Sequence, residues 1–164
     1  GVTCADCHMA YERVGAKKVA DHFVTSPMAD INGTCGTCHT QSDELIEQEV
    51  TKIQNVFVDS RDRTLDSLVQ LINAIATAQT DGTAADRIEL AQSYQNFASF
   101  YVDYAYSENS YGFHAPDYFQ RILNQSLDAS RKGQLALLGV SAADLEPSDV
   151  AQANTEKANE TGLI

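Results

Sequence analysis

The sequence predicts an all-α fold, and two observations support that prediction. Apolar residues recur with alternating spacings of four and three over two long stretches, which is the period of packed helices. No alternating strand pattern or two-residue hairpin signal stands out in the 164 residues. We expect short cofactor-binding helices in residues 1–40, a long antiparallel helical hairpin plus a third helix in 41–138, and an acidic tail in 139–164.

Charge and hydropathy exclude several classes of partner. Asp and Glu outnumber Lys and Arg by 23 to 11, which gives a net charge of −12. Nucleic acid and anionic lipid need Lys and Arg on the protein, so we exclude both and expect a partner with a basic docking face. No apolar stretch reaches the roughly 18 residues of a membrane span, so none is predicted.

Residues 1–40 contain two copies of one motif. All four cysteines lie in the first motif, Cys4–His8, and the second motif, Cys35–His39. Cys-x-x-Cys-His is the attachment pattern of c-type haem. Its two thiols, one helical turn apart, can each add to a vinyl group of the porphyrin, and the next imidazole reaches the iron. We therefore predict two covalently bound haem c groups. The predicted thioether residues are Cys4, Cys7, Cys35 and Cys38, and the predicted proximal iron ligands are His8 and His39.

Two other uses of the cysteines fit the spacing less well. Disulfides within Cys-x-x-Cys pairs are rare as structural links, and two such pairs each followed by His would be a coincidence. A zinc site made from two pairs usually has about 15–20 residues between them. Here 27 residues, 8 to 34, lie between the pairs.

The haem motifs also indicate a cellular compartment. Covalent haem attachment belongs to the bacterial periplasm or an equivalent compartment, so we expect a periplasmic protein whose leader has been removed. Because the first motif begins three residues after Gly1, we further expect the chain to be a fragment of something larger. Between the motifs, Pro27 disfavours helix at Ser26, so a short helix carrying His22 is expected to end there.

The long hairpin begins after the second motif. Ser42 is a suitable N-cap, and the apolar seam of the first long helix then runs to Gln79. The polar stretch 59–63 interrupts this seam and leaves three alternatives: a kink, a break, or an unbroken helix from Asp43 to Gln79 of about 55 Å. The predicted seam residues are Ile46, Val50, Ile53, Phe57, Leu68, Leu71, Ile75 and Ala78.

A turn around Gly82 leads to the second long helix, which Thr83 and Asp86 would open as a capping box. This helix has two adjacent stripes, one small and one aromatic, and therefore is expected to pack on two partners. The small stripe is Ala84, Ile88, Ala91, Gln95, Ala98, Val102 and Ala105, and the aromatic stripe is Leu90, Tyr94, Phe97, Tyr101 and Tyr104.

A loop then leads to Pro116, a good first residue for a third helix over about 117–138. Its predicted apolar residues are Phe119, Ile122, Leu123 and Leu127.

Two haems with two axial ligands each need four histidines, and the chain has four. With His8 and His39 proximal, His22 and His114 are the candidates for the distal positions. Met9 and Met28 can also ligate iron, but Met9 is too close to its own motif and Met28 follows a helix-breaking proline. We interpret both methionines as packing residues.

These residues, taken in order, resemble a known family. The run His22-Phe-Val-Thr-Ser-Pro27, the second motif, the long helical hairpin and Asn109-Ser-x-Gly-Phe-His114-Ala-Pro116 resemble the carboxy-terminal part of pentahaem cytochrome c nitrite reductase. The resemblance covers about residues 4–138. One departure is Ala115, where the family usually has Asn.

The resemblance implies that the two haems are the family's last two, which are bis-histidine electron carriers. His114 would be the distal ligand of the haem on Cys4 and Cys7, and His22 would reach an earlier haem. The second haem would take its ligand from before Gly1. Counting histidines within the chain instead pairs His22 with the second haem; we favour the family's arrangement.

The family's catalytic haem is attached to a Cys-x-x-Cys-Lys motif, which lies upstream of the matching segment. No Cys-x-x-Cys directly precedes Lys17 or Lys18, so this chain alone is not expected to be an enzyme. The resemblance implies a homodimer through the helical hairpin and electron exchange with an upstream haem segment or another cytochrome. The alternative function is a free-standing periplasmic dihaem electron carrier with no catalytic activity.

Overall fold

The computed structural model describes residues 2–145 and is mainly helical, which confirms the predicted all-α class. The chain divides into two compact units, Gly1–Ile53 and Gln54–Ile164. The elements in chain order are α1 (Cys4–His8), β1 (Tyr11–Val14), β2 (Lys17–Ala20), α2 (Asp43–Asp81), α3 (Ala85–Tyr106) and α4 (Pro116–Leu137), with single 3-10 turns at Pro27–Ala29, Cys35–Thr37 and Ala142–Leu145.

The expectation of no hairpin in the first unit was wrong. Strands β1 and β2 pair antiparallel, with Tyr11 opposite Ala20 and Val14 opposite Lys17. Gly15 and Ala16 form the two-residue loop, and Gly15 has φ of 65°, as at the first central position of a type II′ turn. The strands are only four residues long and rich in charge, so their alternation was too weak to recognise.

The helix expected around His22 is also absent from the structure. Residues 21–26 have no regular secondary structure, and the 3-10 turn Pro27–Ala29 follows them. Pro27 therefore begins a turn here, and Ser26 Oγ accepts a hydrogen bond from Met28 N (3.4 Å).

Helix α2 runs without a break through 39 residues, so the polar stretch 59–63 does not end the helix. Ser42 Oγ accepts a weak hydrogen bond from Leu45 N (3.4 Å), as expected of a cap. The predicted seam is confirmed, because seven of its eight residues are buried and Ile53 is half-buried.

In the second unit, α3 and α4 pack on each other and on α2. Buried side chains of all three helices meet in three clusters, to which α2 contributes large residues and α3 contributes alanines and Val102. Helix α4 contributes large residues to the cluster around Phe57 and one alanine to each of the other two. The predicted small stripe of α3 is buried at Ala91, Ala98, Val102 and Ala105. Phe97 and Tyr104 of the aromatic stripe are exposed.

Small polar residues of α4 also lie in this helix interface, and the sequence did not indicate them. Ser126 and Ser130 are fully buried, and Ser126 Oγ donates to Ala98 O of α3 (2.8 Å). A Cβ on Gly133 would lie 2.6 Å from Leu71 Cδ2, so any larger residue there would force the buried Leu71 side chain to move.

The ends of α3 and α4 correct two further expectations. Thr83 does not form a capping box with Asp86; its backbone N and Oγ1 donate to Asp81 Oδ1 instead (3.0 and 2.6 Å). Within the stretch expected as a tail, Leu145 is buried in a cluster with Leu71 and Ile75. The rest of that stretch, 146–164, lies outside the described residues.

Among the described helices, none combines the length and apolar character needed to cross a bilayer.

Candidate functional site

The first motif coincides with α1, a single helical turn. Thr3, just before the helix, donates to Asp6 Oδ2 from its backbone N and from Oγ1 (2.7 Å each). These two hydrogen bonds lower the pKa of Asp6. Asp6, one of the two residues between the cysteines, therefore closes the start of the turn that sets the spacing of the two thiols.

His8 is held by a contact that the sequence did not predict. Its Nδ1 lies 2.8 Å from the backbone oxygen of Thr25. A carbonyl accepts but cannot donate, so this contact places the ring proton on Nδ1 and makes Nε2 the nitrogen suited to an iron. Metal-ligating histidines commonly donate their other N–H in this way.

The second motif is a 3-10 turn, Cys35–Thr37, supported by the buried Thr34. Thr34 Oγ1 contacts the backbone oxygens of Asp30 (2.6 Å) and Pro27 (2.9 Å). His39 N donates to Cys35 O (2.8 Å), which closes a helical turn between the first thiol and the histidine. Both motifs thus have the local turn that haem attachment requires.

All four cysteines are free thiols, exposed at Cys4, Cys7 and Cys38 and half-buried at Cys35. Local desolvation, followed by the charge of Cys35, raises the pKa of Cys7. The Cys35 thiol of the second motif therefore lies close enough to Cys7 of the first motif to affect the ionisation of Cys7. No group of three or more His, Cys, Asp or Glu within 2–145 is arranged to hold a metal ion, so the zinc alternative has no preformed site there.

The surroundings of the motifs fit a large apolar cofactor. Within 2–40, Thr34 is the only buried residue among those whose burial the structure describes. Phe23 and Val24 are 79% and 71% exposed, and Val14 and Val19 are exposed as well. A polypeptide segment with so little core of its own needs another apolar body to pack against, and covalently bound haem would supply it.

Among the predicted distal ligands, His22 lies in the exposed, irregular segment after β2. Asp21 Oδ1 accepts a hydrogen bond from Phe23 N (2.9 Å), which fixes the backbone on both sides of His22. His8, His22 and His39 belong to the first unit and His114 belongs to the second.

His114 lies in the loop Glu108–Ala115 between α3 and α4, called here the His114 loop. Tyr111 and Gly112 both have left-handed backbones, with φ of 54° and 81°. Gln54 Nε2 of α2 donates to Ser110 O (3.2 Å). The imidazole itself is 62% exposed, and its Nδ1 lies 3.6 Å from Glu108 Oε1. The loop is thus pinned to a helix while it presents His114 at the surface.

Sequence reasoning missed Thr25 and Glu108, the residues beside His8 and His114. Thr25 acts through its backbone oxygen, which carries no side-chain signal. Glu108 had one available signal, because it is the one acidic residue of the loop that carries the predicted ligand His114.

Comparison with known proteins identifies relatives over nearly the whole chain. The family model described as cytochrome c552 matches residues 1–162. The cytochrome c-552 of Bacteroides thetaiotaomicron is 33% identical over 150 residues, which cover 92% of this chain and 30% of that protein. The cytochrome c-552 of Bacteroides fragilis is 33% identical over an alignment of 169 positions, which covers 98% of this chain and 33% of that protein.

A third protein, the cytochrome c-552 of Parabacteroides distasonis, is 34% identical over 142 residues, covering 87% of this chain and 29% of that protein. The chain therefore spans about a third of the length of the curated relatives it matches.

Proposed function

Because the chain belongs to the cytochrome c552 family, we propose that it is the two-haem electron-transfer segment of an ammonia-forming cytochrome c nitrite reductase of the periplasm. Family membership supports haem c and electron transfer as the general function. Beyond that general function, we propose two haems, the axial ligands of each iron, and a parent reaction, the six-electron reduction of nitrite to ammonia.

The observation that carries the proposal is the shared architecture of the two motifs. Each Cys-x-x-Cys-His forms a local turn, and in the first motif His8 is oriented through Thr25 O at 2.8 Å. In each motif, two thiol S–H groups would add across the two vinyl double bonds of one porphyrin, each sulfur bonding to carbon. His8 and His39 would then ligate the two irons.

Bound haem would supply one-electron exchange between ferric and ferrous iron. The chain's own residues would determine how each iron is coordinated. His114 would complete the coordination of the haem on Cys4 and Cys7, which leaves that iron saturated and unable to bind nitrite. The distal ligand of the haem on Cys35 and Cys38 would come from an upstream segment, and His22 would serve an earlier haem.

The exposed apolar surface of the helical hairpin supports the proposed homodimer. Val69 and Ile72 on α2 and Phe97 and Phe100 on α3 are 44–66% exposed. Exposed apolar side chains of this size are the kind of surface that a second protein chain can cover. The homodimer would place them against a second copy of the chain, and the upstream haem segment or another cytochrome would be the electron partner.

A free-standing dihaem carrier is the second candidate, and one observation favours it. Four histidines are present for four axial positions, so both irons could be saturated within the chain if His22 turned to the second haem. The two candidates differ in one measurable property.

The discriminating experiment is EPR spectroscopy of the haem-loaded chain without any upstream segment. The nitrite reductase segment predicts one low-spin haem and one haem that lacks a protein distal ligand, because its ligand comes from elsewhere. Two equivalent low-spin haems, with conversion of one to high spin in His22→Ala, would instead support the free-standing carrier.

A further inference from the structure

We propose that Glu108 is a positioning residue for His114: its carboxylate holds the His114 loop in shape and orients the imidazole so that Nε2 faces an iron. This inference rests on the proposed role of His114 as an axial ligand. Glu108 would act through His114 and would influence the reduction potential of the haem that His114 ligates.

Glu108 is the hydrogen-bonding centre of the His114 loop. Its Oε1 accepts from Ser110 N (3.0 Å) and Ser110 Oγ (2.6 Å), and its Oε2 accepts from Gly112 N (2.6 Å). The carboxylate side chain is only 12% exposed. One carboxylate therefore holds two backbone N–H groups on either side of Tyr111, whose left-handed backbone needs such support.

The same carboxylate reaches the histidine by two routes. Directly, Glu108 Oε1 lies 3.6 Å from His114 Nδ1. Indirectly, Ser110 Oγ donates to Glu108 and accepts from His114 N (3.0 Å). The Glu108 carboxylate thus lies next to the His114 ring and is linked to the His114 backbone through Ser110.

Both oxygens of Glu108 accept hydrogen bonds from N–H or O–H donors, Oε1 from Ser110 N and Oγ and Oε2 from Gly112 N. An ionised carboxylate accepts at both of its oxygens in this way. A carboxylate beside Nδ1 favours the tautomer in which Nδ1 carries the proton and Nε2 is the ligating nitrogen.

The consequence is an asymmetry between two ligands. His8 has a neutral carbonyl at Nδ1, at 2.8 Å, whereas His114 has a carboxylate there. An anionic partner makes the imidazole a stronger electron donor than a neutral partner does. A more basic ligand stabilises ferric iron, so Glu108 lowers the reduction potential of the haem that His114 ligates.

The test is a redox titration of the haem-loaded chain, followed through the haem absorption bands, with Glu108→Gln and the matched control Asp103→Asn. Both variants remove one negative charge near the end of α3, but Asp103 is exposed and is absent from the hydrogen bonds of the His114 loop. We expect Glu108→Gln to favour reduction of one haem about tenfold, equivalent to roughly 59 mV upward. Asp103→Asn should move the potential by a much smaller amount.

A second variant keeps the test valid if Glu108→Gln assembles poorly. Ser110→Ala retains the carboxylate and removes the hydroxyl that links it to His114 N, so the low-spin EPR signal of that haem should broaden or partly convert to high spin. Equal potential shifts in Glu108→Gln and Asp103→Asn would overturn the positioning role, and so would an unchanged EPR spectrum in Ser110→Ala where Glu108→Gln does not assemble.

His114→Ala separates this inference from the proposal beneath it. Conversion of one haem to high spin in His114→Ala, with no effect of Glu108→Gln beyond its control, would overturn only the role of Glu108. Full retention of low-spin character in His114→Ala would show that His114 is not a ligand, which contradicts the proposed function itself.

Discussion

Replacing Gly112 with alanine tests whether the His114 loop is locked against α2. Two separate penalties arise at this position. Gly112 has φ of 81°, and a Cβ built on it would lie 2.8 Å from Phe57 Cβ, Cγ and Cδ2. Phe57 is 2% exposed in the core of the second unit, so its ring has little room to move away.

The chain contains a matched control for the backbone penalty. Gly82 has φ of 86°, and no heavy atom lies within 4 Å of the position that a Cβ would take there. Left-handed backbone costs alanine about 1–2 kcal/mol, and the lower entropy of the unfolded chain returns about 0.4–1 kcal/mol. Gly82→Ala should therefore lower the free energy of unfolding by roughly 1 kcal/mol.

Gly112→Ala should add the overpacking cost, about 1–3 kcal/mol, and so lose about 2–4 kcal/mol in total. The assay is urea unfolding of both variants, followed by helical circular dichroism. Equal losses in Gly112→Ala and Gly82→Ala would refute the reasoning, because they would show that the contact with Phe57 imposes no constraint on the loop.

Three further predictions concern the helix interface, the ligands and the activity. Ser126→Ala should lower the free energy of unfolding by about 1 kcal/mol, because Ser126 Oγ donates to a buried carbonyl at 2.8 Å. The Ser93 hydroxyl is exposed, so Ser93→Ala should lose little stability in the same urea assay. Equal losses in the two variants would contradict this role of Ser126. His22→Ala should leave the spin state of both haems unchanged by EPR, whereas a low-spin to high-spin change of the second haem would favour the free-standing carrier. The haem-loaded chain should show reversible redox chemistry and no ammonia from nitrite, and six-electron turnover would contradict the proposal that catalysis resides elsewhere.

The helical part of the fold could be predicted because periodic burial leaves a strong pattern. Ile46, Phe57, Leu71 and Ile75 recur at the spacing of a helix face, and all four are buried. Ser126 could not be predicted in the same way. Its hydroxyl is buried only because it reaches Ala98 O on another helix, and a tertiary contact of that kind leaves no period in the sequence.

In the candidate site, too, local sequence patterns were predictable and contacts that depend on tertiary structure were not. The four cysteines, His8 and His39 could be predicted as haem-binding residues because the attachment pattern has a fixed spacing over five residues, whereas His22 and His114 remain predictions from histidine number and family resemblance. The β-hairpin between the motifs was missed because Gly15 alone marked its turn. The supporting contacts were missed because Thr25 uses a backbone atom and Glu108 acts through a loop with left-handed residues, and both depend on three-dimensional geometry.

The central claim is that both motifs bind haem covalently, and intact mass spectrometry of the haem-loaded chain tests it most directly. We predict the mass of the apoprotein plus two haems, falling by one haem when Cys4 and Cys7 are both replaced by alanine and by one haem when Cys35 and Cys38 are. A mass equal to the apoprotein, or to the apoprotein with a single haem, would contradict the claim.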